Sequence, residues 1–384
     1  MKNISLSNFG PIKEANIKFG DLTILIGPQA SGKSVLLQLA KLLKDKRQIR
    51  NTLNQYAFTW GNSKEEIFER YFGEGMSTLL NNETSVNFNG KPFDLDKLKP
   101  QRGEPLDIKA MESVFYIPAH RVLCVQKGWP NYFSDYESSD PFVLRNFSET
   151  LRLSFNVDLK EEQYFPQQNR LKKVLRDAID QEIFHGSTIG IKKTERLKFI
   201  LNVNESSLGF GQWSTGQKEF LPLLMSFYWL SPPAKVARRN KIETVVIEEP
   251  EMGLHPNAIK TVILQVMELL SRGYKVVIST HSNVLLDFVW AFNLIKENRG
   301  SMNDILALFD IKNANFAEAL ADVLSKKIKT YYFRHSSEGV KVKDISSLDA
   351  FSDDKDIAEW GGISSFSSNA SEIVARLVST NGKN

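Results

Sequence analysis

The stretch from Leu22 to Leu43 constrains the fold of this chain more than any other. Leu22-Thr23-Ile24-Leu25-Ile26 is a continuous apolar strand that runs into Gly27-Pro28-Gln29-Ala30-Ser31-Gly32-Lys33-Ser34, and Val35 to Leu43 then has the composition of a helix packed on a sheet. A strand, a small-residue loop and a helix in direct succession form the context in which such a loop binds phosphate. Small residues let successive backbone N–H groups turn toward one anion, and the helix N-terminus adds the positive end of its dipole. Lys33 supplies a cation to the β- and γ-phosphates, and the Ser34 hydroxyl can ligate Mg²⁺. Gly27, Gln29, Ala30, Ser31, Gly32, Lys33 and Ser34 are therefore the expected nucleotide-binding residues.

Three further segments make sense beside that loop. Thr244-Val245-Val246-Ile247 is a β-branched run suited to a strand buried on both faces of a parallel sheet. Glu248 at its end can hold the magnesium, and Glu249 can accept a proton from an attacking water. Pro250-Glu251-Met252-Gly253-Leu254-His255-Pro256 follows, then a helix from Asn257 to Arg272 closed by Gly273, then the strand Lys275 to Ser279 leading to His281. A histidine there can be a satisfied polar residue or a γ-phosphate contact at the strand edge. Ser214-Thr215-Gly216-Gln217 precedes the apolar helix from Glu219 to Met225, and on local grounds it is a helix cap.

Composition narrows the class. A chain of 384 residues, 42% hydrophobic and 24% charged, can bury a large core with two or three structural units. The single cysteine, Cys124, excludes an internal disulfide framework and a cysteine-built zinc site. No apolar run approaches the roughly 20 residues that cross a bilayer, and Met1 to Ser5 lacks the apolar core of a secretion signal. A cytoplasmic protein without a membrane partner is expected. The 49 basic residues are nearly offset by 45 acidic ones, and a net charge of +4 does not establish nucleic-acid binding.

The segments occur in the order shared by ATP-binding-cassette (ABC) ATPases: P-loop, signature segment, Walker B strand with its carboxylate pair, D-loop (Glu251 to Pro256) and switch histidine. The chain resembles that family, and its Glu-Glu-Pro-Glu-x-Gly-Leu-His-Pro string from Glu248 to Pro256 is similar to the RecF-type and overcoming-lysogenisation (OLD) ATPases rather than to transporters. Leu6-Ser7-Asn8-Phe9-Gly10-Pro11-Ile12 and Phe115-Tyr116-Ile117-Pro118-Ala119-His120-Arg121 are similar to that group too. The resemblance implies an α/β, ABC-type P-loop NTPase head that binds ATP and Mg²⁺. Glu249 and His281 are then the catalytic residues, and Ser34 and Glu248 the metal ligands. It also implies that Ser214, Gly216 and Gln217 act in trans on nucleotide held by Lys33 of a partner chain, so that a homo-oligomer, a dimer of heads or a larger ring, is the working unit. Arg121 either contacts nucleotide or braces the sheet. His120 stands where relatives carry glutamate, Gln126 is a candidate Q-loop glutamine, and Phe9 or Phe19 could stack on adenine.

The expected ATPase core comprises residues 1–45, 112–125 and 187–300. Residues 46–111 and 126–186 are expected to form an inserted, mostly helical region, and 301–384 a small α/β C-terminal extension. Ile4 to Phe9 and Ala15 to Phe19 suit a pair of edge strands, and Ser85 to Leu95 a hairpin turning at Asn89-Gly90. Pro166 to His185 suits an amphipathic helix with Leu171, Leu175, Ile179 and Ile183 on one face. Thr330 to Arg334 and Val340 to Val342 predict a hairpin that holds a partner or covers a sheet edge. The runs from Lys41 to Arg47 and Lys235 to Lys241 either meet phosphate backbone or are solvated. Ser352-Asp353-Asp354-Lys355-Asp356 does not follow an apolar strand, so no nuclease centre is predicted. ATPases resembling this one occur in bacterial anti-phage systems such as PARIS, which implies a separate effector protein, a nuclease or toxin. A RecF-like clamp in which DNA closes the dimer is the alternative.

Overall fold

The computed structural model describes residues 1–101, 105–154, 163–193, 196–232, 238–239, 241–363, 370–371 and 373–375. Its centre is a ten-stranded sheet. The strands in chain order are β1 (Asn3–Phe9), β2 (Ile12–Lys18), β3 (Leu22–Ile26), β4 (Ser85–Phe88), β5 (Lys91–Pro92), β6 (Val114–Ile117), β11 (Thr244–Glu248), β12 (Lys275–Thr280), β13 (Ile328–Ser336) and β14 (Gly339–Asp344). They lie side by side as β5-β4-β1-β2-β14-β13-β3-β12-β11-β6. From β13 to β6 every neighbour is parallel, which requires crossover connections and buries both faces. A second, four-stranded antiparallel sheet is ordered β10-β9-β8-β7, from β7 (Gln163–Phe165), β8 (Thr188–Lys193), β9 (Leu197–Val203) and β10 (Ser206–Gly209).

Strand alternation divides the molecule into two cores. Val245, Ile247, Val276 and Ile278 face a core built with α3 (Phe142–Ser154), α4 (Lys173–Ile179), α5 (Thr215–Leu230), α6 (Pro256–Ser271) and α7 (Asn283–Glu297). Val246, Val277 and Leu25 face the other, built with α1 (Lys33–Gln55) and α2 (Lys64–Phe72). The apolar positions between Leu22 and Ile26 are fully buried on both sides, as the uninterrupted run predicts. No described helix is long and apolar enough to cross a membrane.

Several local expectations change in the assembled fold. The β1–β2 pair is not an edge, because β4 covers β1 on one side and β14 pairs with β2 on the other. The hairpin β13–β14 covers no edge either: β13 pairs with β3 and β14 with β2, so the hairpin joins the two halves of the sheet. The helix expected from Pro166 starts only at Lys173; ahead of it the Arg176 guanidinium donates to the carbonyls of Gln168 and Leu171. Leu171, Leu175, Ile179 and Ile183 are buried as their spacing predicts. β7 lies in the stretch expected to be mostly helical, and the hairpin at Asn89-Gly90 forms as β4–β5.

Candidate functional site

The phosphate loop lies between the end of β3 and the start of α1, and its backbone is bent to face one point. Ala30 and Gly32 both adopt left-handed conformations, with φ of 56° and 92°. A Cβ on Gly32 would lie 2.8 Å from Ile12 Cγ1, and one on Gly27 would lie 2.7 Å from the Phe333 carbonyl oxygen. The loop is thus pressed between the β1–β2 turn and the C-terminal hairpin, which explains why glycine stands at both positions. Gln29, Ala30, Ser31, Gly32, Lys33, Ser34 and Glu249 line one pocket of about 220 Å³ with Pro11 and Val35. Sites that enclose a whole small ligand usually measure about 300–1,000 Å³. This pocket suits the phosphate end of a nucleotide.

Lys33 is buried, and its Nζ donates to the carbonyls of Gly27 and Pro28, both at 2.8 Å, and to Ser31 Oγ at 3.3 Å. Burial pushes its amine down to about 8, against the opposing pull of Glu249, Glu251 and Glu248. A triphosphate would replace those carbonyls as acceptors and favour the charged form.

The acidic pair divides in two by environment. Glu248 ends β11 in the interior, and burial raises its carboxyl above the usual range against the Ser34 and Tyr116 hydroxyls and the Ala119 amide. One of its oxygens accepts the Ala119 N–H at 3.3 Å, while Oε1 is buried and has no hydrogen-bond partner. An orphaned carboxylate oxygen beside the Ser34 hydroxyl fits a hard cation such as Mg²⁺. Among the described residues there is no cluster of three or more His, Cys, Asp or Glu that could hold a metal. The remaining ligands of a cation at Glu248 must come from phosphate and water, as Mg²⁺ commonly takes them.

Glu249 turns away from the strand in a left-handed conformation, φ 42°, and opens onto the phosphate pocket. His281 Nε2 lies 3.5 Å from Glu249 Oε1, and the nearby imidazole, opposed by burial, holds the Glu249 carboxyl below its ordinary range. Glu249 is therefore ionised at neutral pH, the state a proton acceptor needs. Behind it, Glu251 Oε1 accepts the Thr280 hydroxyl at 2.8 Å and the His281 N–H at 2.6 Å. Glu251 was missed in the sequence because its carboxylate sits on a loop with no periodicity, and only the fold brings it to the end of β12.

Arg121 braces the sheet. It is fully buried, and its guanidinium donates to the carbonyls of Glu219 at 3.1 Å, Glu248 and Glu249 at 3.2 Å, and Pro250 at 3.4 Å. It thereby fixes the strained turn at Glu249 and ties it to α5. Gln126 lines a different cleft, with Lys127 and Trp129. His120 is exposed beside the short turn Arg121–Val125. Phe9 and Phe19 are both buried, and Phe9 packs against Phe68 and Phe72, so neither offers a face to adenine.

The signature segment stands apart. Ser214 caps α5, its Oγ accepting the Gln217 N–H at 3.3 Å while Gln217 Oε1 accepts the Ser214 N–H at 3.1 Å. Gly216 packs against the loop that follows Glu249, where an added Cβ would lie 3.1 Å from the Gly253 carbonyl oxygen. Ser214, Gly216 and Gln217 are not on the wall of the phosphate pocket.

The family model described as "AAA ATPase domain" matches residues 1–100, and that described as "AAA domain, putative AbiEii toxin, Type IV TA system" matches residues 128–287. The Old nuclease of Escherichia phage P2 is 25% identical over 155 residues, 40% of this chain, and the match spans 25% of that nuclease. Similar solved structures include an SMC head bound to the C-winged helix domain of ScpA, with 13% identity, 89% of this chain and 96% of that one covered, and a TM-score of 0.44. The SMC head domain from Thermotoga maritima has 14% identity, 89% and 98% coverage, and a TM-score of 0.35. Each family model matches less than half of the chain, and the strand, phosphate loop and helix at its start are those of a P-loop NTPase fold.

Proposed function

We propose that this chain hydrolyses ATP and works as an assembly of heads in which Ser214, Gly216 and Gln217 of one copy complete the nucleotide site held by Lys33 of another. The observation that carries this reading is the placement of the capped start of α5 outside its own chain's phosphate pocket. The pocket's small volume supports it too, since much of a nucleotide lying there would be left for a second surface to cover.

Within such a site the residues divide the work. Gln29 to Ser34 hold the phosphates, and Lys33 balances their charge. Ser34 and Glu248 would hold a Mg²⁺, which would add positive charge beside the phosphate oxygens. Glu249 takes the proton from the attacking water, and His281, fixed by Glu251, is placed to contact the γ-phosphate. Arg121 keeps the Glu249 turn in place.

The closed assembly controls a separate cytoplasmic effector, a nuclease or toxin, in an anti-phage system of the PARIS kind. Support comes from a matching family whose description names a toxin and a relative named as a nuclease. The test is recovery of the tagged chain from its native host, with the mass of the complex read with and without ATP. A stoichiometric nuclease or toxin in the complex is expected. Recovery of the chain alone, dimerising on ATP and DNA, would replace this reading with a RecF-like clamp.

A further inference from the structure

One described residue from each of the two basic runs of the sequence meets the other in the fold; residues 235–237 and 240 of the second run lie outside the described residues. Lys44 from the first and Arg238 from the second line one open pocket of about 470 Å³, together with Lys2, Lys275 and Glu243. Glu243 immediately precedes β11 and Lys275 opens β12, so the pocket lies at the opposite ends of the strands that carry Glu248 and the approach to His281. At about 3.3 Å per residue, the length of β11 alone puts the two sites roughly 16 Å apart.

Each cation is placed by the backbone around it. The helix α1 is broken at Asp45, whose carboxylate accepts the Ser113 hydroxyl at 2.6 Å and the Val114 N–H at 2.9 Å and pairs with buried Lys41 at 3.3 Å. That break sets Lys44 beside Glu243, 3.2 Å away. Arg238 Nη1 donates to the Gly273 carbonyl at 3.2 Å, and Lys275 Nζ to the Met1 carbonyl at 3.5 Å. The Lys2 backbone N–H is held by Asn89 Oδ1 at 2.8 Å. Among the described residues Lys44 alone of the four has a carboxylate partner.

Four cations facing one carboxylate in a concave wall concentrate positive potential that an anion relieves. The arginine fork and the lysine point charges match phosphate oxygens. The volume lies within the range of small-ligand sites, and among the described residues no aromatic side chain lines the wall to stack on a base. We infer that this pocket binds a small, multiply phosphorylated anion at a site separate from the ATP site. Its ligand is recognised by its phosphates alone.

The test uses the full chain carrying Lys33→Ala, which weakens the phosphate loop, and titrates it calorimetrically with inorganic tripolyphosphate. Saturable binding of one anion per chain is expected, and Arg238→Ala should weaken it by about tenfold, the loss of one charge-assisted hydrogen bond. Adding Lys275→Ala should weaken it further. Circular dichroism verifies the fold of each variant, and Lys2→Ala, at an exposed position, provides the same readout if the Lys275 substitution unfolds the chain. Absence of saturable binding, or equal affinity in the pocket variants, overturns the inference. So does binding of a DNA oligonucleotide that these substitutions abolish while tripolyphosphate never binds, which would make the surface a contact for nucleic-acid backbone.

Discussion

The Glu251 carboxylate accepts the backbone N–H of His281 at 2.6 Å, linking the loop after β11 to the residue after β12. The same oxygen takes the Thr280 hydroxyl, and its other oxygen is buried without a partner. Glu251 thus positions His281 from behind while Glu249 faces it from the pocket side. Glu251→Ala should lower kcat by about tenfold or more, within the range assigned to proton-transfer groups, and leave the nucleotide KM nearly unchanged. Glu251→Gln keeps a carbonyl acceptor and should restore most of the rate. Steady-state kinetics of the three proteins checks this, and a wild-type kcat in the alanine variant removes Glu251 from the positioning role.

Glu249→Gln removes the proton acceptor without changing the shape of the pocket. Turnover should fall by about 10²- to 10⁴-fold while ATP stays bound and the multi-head assembly accumulates. Lys33→Ala should instead weaken nucleotide binding. Single-turnover hydrolysis and light scattering with ATP distinguish the two, and normal turnover by the Glu249 variant would mean another group takes the proton.

Burial holds the Lys33 amine at about 8, and a bound triphosphate raises it again. Nucleotide binding above pH 8 should therefore take up a proton, and affinity should decline as pH rises through that value. Near pH 7 the amine is already largely charged and little uptake is expected. In the ligand-free head the sign is opposite: between about 8 and the ordinary lysine value the unfolded chain binds more protons, so the Lys33 contribution to stability grows with pH. Calorimetry in buffers of different ionisation enthalpy measures the uptake, and a flat affinity from pH 7 to 9.5 would contradict it.

Arg121 is fully buried and bonds the carbonyls of Glu219, Glu248, Glu249 and Pro250. Arg121→Ala leaves those carbonyls without their donor and the Glu219 carboxylate, 3.7 Å away, without its ion-pair partner, and should cost about 3–5 kcal/mol. Denaturant unfolding measures the loss. Arg121→Lys, which lacks the planar fork, should recover only part of it.

A chain ended at Lys327 would lack β13 and β14. The sheet would then split between β2 and β3, and Phe333 would no longer back the phosphate loop at Gly27. No cooperatively melting protein is expected from that truncation. A soluble product with a sharp thermal transition would show that the hairpin is dispensable.

What the sequence determined by itself is what neighbouring residues decide among themselves. The phosphate loop was legible because β3, the small-residue turn and α1 are consecutive, and their geometry follows from backbone sterics and apolar patterning. Glu248 and Glu249 were legible as the end of a β-branched run, and Ser214 with Gln217 as a capping pair. The tertiary structure decided the contacts between segments far apart in the chain. It buried Phe9, turned Arg121 from a possible nucleotide contact into a brace, set the 328–344 hairpin between β2 and β3, and brought Lys44 and Arg238 to one pocket. These outcomes depend on which strands pair and on which face each residue lands, and a local run of residues carries the same pattern whether its strand ends at an edge or in the middle of the sheet.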